Sequence, residues 1–252
     1  MQTLRHWLSE QPFTLVMSSG FFGFFAHAGM LQALEAAGLR PVALGGTSAG
    51  ALIGGWSASG VAADAIVSRL ETVQRGDFWD PSLGLGLLEG ARFEALLSSS
   101  FGAARFEDCP VPVRVAAWEV ATGTTRVFAE GPLVPAVRAS CSFPGLLQPR
   151  RIDGRRYLDG GIGDRAALST VDPGARVLHH HLSSRSPWRT AGSEALRPPS
   201  APNLTTLVID GLPRLSPFRL AEAPRVLAQA RETTARALGL PVEAGVVRVT
   251  AG

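Results

Sequence analysis

"ALGGTSAGALIG", Ala43–Gly54, sets one serine between glycines directly behind a short apolar run and then returns at once to small apolar residues. Pro41–Leu44 reads as a strand, and Ala49–Ser59, small and uncharged, reads as a buried helix. Between them Gly46-Thr47-Ser48-Ala49-Gly50 fits G-x-S-x-G, a pattern that needs a strand before it and a helix after it. So sharp a turn brings its flanking positions against neighbouring strands, which is why they are glycine. A serine at the apex projects its hydroxyl into a cleft, and the helix N-terminus behind it favours negative charge developing nearby. A plain Gly-Ser helix start looks the same over five residues, so the motif alone leaves a catalytic and a structural serine both open.

The flanking chain supplies the context. Phe13–Met17 is a strand-length apolar run, "SSGFFG" is a turn, and from Phe24 the pattern is helical, with Met30, Leu31 and Leu34 on one face and Gly38 and Pro41 as the stop. Ala62–Val73 reads as an amphipathic helix with Ile66, Leu70 and Val73 inward. Strand, helix, strand, helix implies an α/β fold with a parallel sheet, whose strand C-termini are where sites form. Farther on, "VRVAAWEVATGTTRVFAE" reads as a hairpin around Gly123, and "RRIDGRRYLDGG" as another around Asp153-Gly154. Ser183–Asn203, with four prolines, is expected to be a mobile loop, followed by a strand at Leu207–Ile209, a helix at Pro224–Leu238 and a strand at Val246–Val249. No internal repeat is present, and residues 1–252 are expected to form one domain.

Composition narrows the class. The 46% hydrophobic and 18% charged content is that of a globular chain, not a disordered one. All 24 basic residues are arginine, scattered along the chain, and with 21 acids they leave a net charge of +3. That pattern carries no nucleic-acid footprint, and peripheral contact with an anionic membrane is a weaker expectation. Cys109 and Cys141 form no disulfide framework and read as small interior residues of a reducing compartment. "FFGFFAHA" mimics the end of a secretory leader, but Glu10 in the would-be basic region and the breaks at Ser18, Ser19, Gly20 and Gly23 oppose it, so a cytoplasmic protein is expected.

A nucleophilic serine needs oxyanion donors and a base. The turn after the first strand offers the backbone N–H groups of Ser18, Ser19 and Gly20. Asp159, in "YLDGG", leaves a strand end with Gly160 and Gly161 behind it, which lets backbone pass close to a partner, with a solvated turn carboxylate as the alternative; Asp153 is explained by its hairpin turn. This combination resembles the patatin-like phospholipase family: a glycine-rich loop after the first strand, G-x-S-x-G after the second, and Asp-Gly-Gly downstream. "FWDPSLGLGLLEGARFEALL" and "RASCSFPGLLQPRRIDGRRYLDGG" are similar to bacterial members, and the resemblance covers Phe13–Ala167.

The resemblance implies a three-layer fold with a central, mainly parallel sheet flanked by helices, and a dyad in which Ser48 attacks an acyl carbonyl and Asp159 acts as base. Gly23, Gly46, Gly50, Gly160 and Gly161 are then the motif glycines. It implies a lipid or other acyl ester as substrate, with lysophospholipase or carboxylesterase activity, and no metal or organic cofactor. An aspartate near its ordinary pKa of about 4 is a weak base for a serine hydroxyl, so burial and a short hydrogen bond must assist it.

Two departures stand out. Ser18 and Ser19 replace glycines of the family loop, where a position needing positive φ would be strained, and Phe22 stands where a basic residue is common; Phe21 and Phe22 line an acyl pocket or belong to the core. Asp164 stands where asparagine is frequent. A degenerate member that binds lipid or a protein partner without turnover is the alternative. The order Ser48, Asp159, His179-His180-His181 also suits an α/β-hydrolase triad. Against it, Ser48 ends only the second strand, and adjacent histidines in a strand diverge, which equally disfavours a metal site. His27 reads as an interior histidine or a support of the loop. Phe78 and Trp79 border a substrate channel or fill the core.

Overall fold

The computed structural model describes residues 2–183 and 197–252. In chain order the helices are α1 (Leu4–Glu10), α2 (Phe24–Ala36), α3 (Ala49–Ala58), α4 (Ala63–Thr72), α5 (Ala91–Ser100), α6 (Leu133–Ser140) and α7 (Ala223–Ala237). The strands are β1 (Thr14–Met17), β2 (Ala43–Thr47), β3 (Gly86–Leu88), β4 (Val113–Glu119), β5 (Thr124–Phe128), β6 (Gly145–Leu147), β7 (Arg150–Ile152), β8 (Arg155–Asp159), β9 (Val177–His181), β10 (Leu204–Asp210) and β11 (Val246–Thr250).

The main sheet runs β11-β10-β9-β1-β2-β4-β8-β7, with β5 on the other edge of β4. From β11 to β4 all neighbours are parallel, and β5, β7 and β8 add antiparallel pairs. The sheet is therefore mixed but mainly parallel, as the alternation of strands and helices implies. Both expected hairpins form, β4–β5 and β7–β8, the second turning on Asp153 and Gly154, which both have positive φ.

Alternation along β1 shows how the sheet is covered. Leu15 and Met17 enter the main core with Leu31, Leu34, Ile53 and Leu227 of α2, α3 and α7. Val16, on the opposite face, packs in a small cluster with Ala167, Val177 and Leu204. That second face is closed near the site by short 3₁₀ turns at Gly160–Ile162 and Leu168–Thr170.

Sequence and structure differ in a few places. The second strand is Ala43–Thr47, not Pro41–Leu44, because Gly45 and Gly46 continue the ladder against Val16, Met17, Arg114 and Val115. A strand of two glycines has no apolar periodicity to reveal it. α1, α5, α6 and the two-stranded β3–β6 sheet carried no assignment from sequence. Most of the expected mobile loop, Ser183–Asn203, lies outside the described residues. No helix among the described residues is long and apolar enough to cross a membrane, and Ala26-His27-Ala28 is buried within α2.

Candidate active site

The register of β4 brings the site together. Thr47, the last residue of β2, pairs with Ala116, and Asp159, the last residue of β8, pairs with Ala117. β2 runs parallel to β4 and β8 antiparallel, so their C-terminal ends converge on one point of the sheet. There Ser48 Oγ donates a 2.6 Å hydrogen bond to Asp159 Oδ2.

Ser48 sits at φ 53° and ψ −117°, a conformation that a non-glycine residue holds only when its surroundings impose it. Three contacts do so. Its N–H donates to Ser140 Oγ at 2.8 Å, Ser140 Oγ in turn donates to the Ala116 carbonyl at 2.6 Å, and the Cys141 thiol donates to the Ser48 carbonyl at 3.3 Å. The flanking glycines are steric necessities: a Cβ on Gly46 would collide with the backbone of Gly50, and one on Gly50 with the Met17 carbonyl of β1. Burial, with Asp159 nearby, pushes the Cys141 thiol up, so it stays protonated and supports the Ser48 carbonyl.

Asp159 is only 4% exposed. Its Oδ1 accepts the Gly161 N–H at 2.8 Å, and its own N–H donates to the Ser142 carbonyl at 2.9 Å. Gly160 lies against the Ala116 carbonyl and Thr47, and Gly161 against Ser19 Oγ, so neither position has space for a side chain. The end of α6 thus holds both partners, Ser140 and Cys141 on the serine and Ser142 on the aspartate. Arg138, almost fully buried, donates to Ser142 Oγ and to the carbonyls of Glu89, Gly90 and Gln148. Sequence reasoning passed over Arg138, Ser140 and Ser142 and read Cys141 only as a small interior residue, although all four lie in the quoted stretch Arg138–Gly161. The helix that carries Arg138 and Ser140 begins at Leu133, behind a proline, with too few turns for periodicity to show.

The turn after β1 requires a correction. Ser18 and Ser19 do not aim their N–H groups at the cleft: Ser18 donates to the His180 carbonyl at 3.2 Å and Ser19 to the Arg165 carbonyl at 2.8 Å. Ser18 is fully buried because it extends β1 beside β9, where its Oγ also accepts the Leu182 N–H. Among the described residues, no hydrogen bond from the Gly20 or Phe21 N–H is present, and both residues line the cavity with Ser48. The strain anticipated at the two serines falls instead on Phe22, at φ 54°. Gly20 and Gly23 both pack on the end of the Leu182 side chain, which a Cβ at either position would have to displace.

His27 and His180 brace this turn. His27 Nε2 donates to the Ser18 carbonyl at 2.8 Å, which leaves its Nδ1 to accept from His180 Nδ1, also at 2.8 Å. His179 and His181 face the other side of β9, as alternation demands, with ring centroids 5.7 Å apart. The side chain that meets Ser48 Oγ is Asp159 and not a histidine, and among the described residues no group of His, Cys, Asp and Glu is arranged to hold a metal ion.

Burial pushes His27 down to about 4 and His179 down to about 3, from an ordinary 6.5, and lowers His180 well below it too. These rings are neutral in the folded protein and take up protons first when unfolded. Their contribution is present above pH 6.5 and is lost as the pH falls toward about 4. Urea midpoints measured across this window are expected to fall steeply. A midpoint unchanged from pH 6.5 down to about 4 would mean that these imidazoles are already charged in the fold.

Ser48 and Asp159 open into a cavity of about 600 Å³ walled by Phe21, Phe22, Phe24, Leu52, Trp56 and Phe78, among others. Both phenylalanines of the turn therefore line it, as does Phe78, while Trp79 packs against Phe218. Asp164 caps the Leu168–Thr170 turn through the N–H groups of Leu168 and Ser169.

The sequence matches the family described as Patatin-like phospholipase over residues 15–171. An uncharacterised NTE family protein of Mycobacterium tuberculosis is 32% identical over 166 residues, 65% of this chain and 46% of that protein. A protein named lysophospholipase nte1, from Emericella nidulans, is 30% identical over 172 residues, 65% of this chain and 11% of that protein. The chain thus spans less than half the length of these curated relatives. Among solved structures, VipD from Legionella pneumophila superposes with a TM-score of 0.65 at 14% identity, covering 90% of this chain and 66% of that one. That likeness is one of fold.

Proposed function

The chain belongs to the patatin-like phospholipase family, and from that membership we propose that it is a serine acyl-ester hydrolase with Ser48 as nucleophile and Asp159 as base. The observation that carries this reading is the 2.6 Å hydrogen bond from a strained Ser48 to a buried Asp159 at the wall of an apolar cavity. Asp159 takes the Ser48 proton as Oγ attacks the ester carbonyl. It returns that proton to the leaving alcohol, and water then releases the acid from the acyl-enzyme by the same steps in reverse.

The developing oxyanion is received by the uncommitted N–H groups of Gly20 and Phe21, with the first turn of α3 behind the serine. These donors are backbone groups, so the serines that replace glycines at 18 and 19 do not remove them. A cavity of this size falls within the roughly 300–1,000 Å³ usual for small-molecule sites, and its aromatic and leucine walls suit an acyl chain. The name carried by the Emericella nidulans relative supports a lysophospholipid among the substrates.

A fluorophosphonate probe, with the adduct located by mass spectrometry, tests the nucleophile. Labelling at Ser48 is expected in the native chain and none in Ser48→Ala. A folded native protein left unlabelled by a small probe, and inert toward short-chain esters, would favour a lipid-binding member without turnover.

A further inference from the structure

The loop Asp80–Glu89 is short, rigid and apolar at its tip. Leu83 is 100% exposed, Leu85 68% and Leu87 48%, although large aliphatic side chains normally avoid such exposure together. The loop is not free to fold them away. Pro81 bridges Leu88, and the Ser82 N–H donates to the Leu87 carbonyl. Gln148 clamps the tip, accepting from the Leu85 N–H at 2.8 Å and donating to the Gly86 carbonyl at 3.0 Å. The same backbone continues into the site, since Leu88 lines the acyl cavity and pairs through β3–β6 with Leu147 of its wall.

Beside this tip lies unneutralised positive charge. Leu83 borders a surface depression also lined by Arg138, Arg150, Arg151 and Arg156, against only Glu89 and Glu94. Arg150 is paired with Glu94, but neither Arg151 nor Arg156 has an ion-pair partner among the described residues. They stand directly opposite each other in the β7–β8 ladder, a like-charge placement that costs stability unless an anion lies over it. Just before this loop in the chain, Arg75 stacks over Trp79 and over the exposed Phe218.

We propose that this face docks on an anionic phospholipid bilayer, the three leucines entering the acyl region and Arg151 and Arg156 binding lipid phosphates. Leucines flanked by arginine and aromatic side chains match the layered polarity of a lipid interface. Docking there brings the loop that supplies Leu88 to the cavity wall against the substrate's source. The proposal deepens the lipid reading given above, but binding needs no turnover, so its test stands apart from that of Ser48.

The test is co-sedimentation of the full chain carrying Ser48→Ala with vesicles of phosphatidylcholine, alone or mixed equally with phosphatidylglycerol. Binding is expected to be stronger to the mixed vesicles. Leu83→Asp with Leu85→Asp should weaken it at least about tenfold on both. Arg151→Gln with Arg156→Gln should remove the phosphatidylglycerol-dependent gain, about fivefold for each arginine. In the Ser48 background, the leucine and arginine variants should hydrolyse a soluble short-chain ester at the native rate, and their melting curves should match the native one. Variants that sediment like the parent, or a parent that stays in the supernatant, would overturn the proposal. So would a native dimer that Leu83→Asp with Leu85→Asp converts to monomer, since the face would then join two copies of this chain.

Discussion

Asp159→Asn is expected to lower turnover of an ester substrate by roughly two to four orders of magnitude, the usual worth of a positioned general base, while leaving the fold intact. Asparagine has the same shape, and its carbonyl oxygen still accepts the Gly161 N–H where Oδ1 does now. What changes is the atom facing Ser48: an amide nitrogen in place of Oδ2 cannot take the hydroxyl proton. Combining Asp159→Asn with Ser48→Ala should cost little more than Ser48→Ala alone, because the two residues act as a unit. Steady-state rates on a short-chain ester, with melting curves for each variant, provide the check. A folded Asp159→Asn enzyme at native turnover would exclude Asp159 as the base, and attention would then pass to groups that reach Ser48 only with substrate bound.

The second large effect concerns stability and separates two glycines of one helix. Gly50→Ala should destabilise the protein by more than about 3 kcal/mol, because its Cβ meets the carbonyl of Met17, a backbone atom in β1 that cannot move alone. Against a typical total of about 5–15 kcal/mol, that loss is expected to show as poor soluble yield and a sharply lowered urea midpoint. Gly54→Ala, one turn later, brings its Cβ to 3.5 Å from the flexible Met17 Cε, an ordinary contact. It should be neutral or stabilising by up to about 1 kcal/mol, since alanine is the better helix former. Equal midpoints for the two variants would show that α3 can shift away from β1, and the steric account of the elbow would fail.

Much of the site was legible because its chemistry is local. G-x-S-x-G and Asp-Gly-Gly each place a candidate side chain at a strand end by steric rules acting over five or six residues, and the glycines carry those rules visibly. The hairpins at Gly123 and Asp153-Gly154 were legible for the same reason. Where the residues are small, the signal fades: β2 is two residues displaced from its apolar run because glycines pair in a ladder without contributing periodicity. α6 was silent although it holds Ser140, Cys141 and Ser142 against the site, since supports of this kind act through a serine hydroxyl, a carbonyl or a thiol that any turn could display.

By itself, then, the sequence determined the parallel α/β order of the N-terminal half, the serine elbow and the aspartate, all consequences of backbone sterics over short windows. Only the tertiary structure decided that the two meet. That rests on β2 and β8 approaching from opposite directions and ending on consecutive residues of β4, Ala116 and Ala117, so that β4 brings together two side chains more than a hundred positions apart. It also decided which amides of the turn after β1 stay unbonded. Ser18 and Ser19 spend theirs on the carbonyls of His180 and Arg165, and those partners adjoin the turn only because β9, late in the chain, is laid against β1.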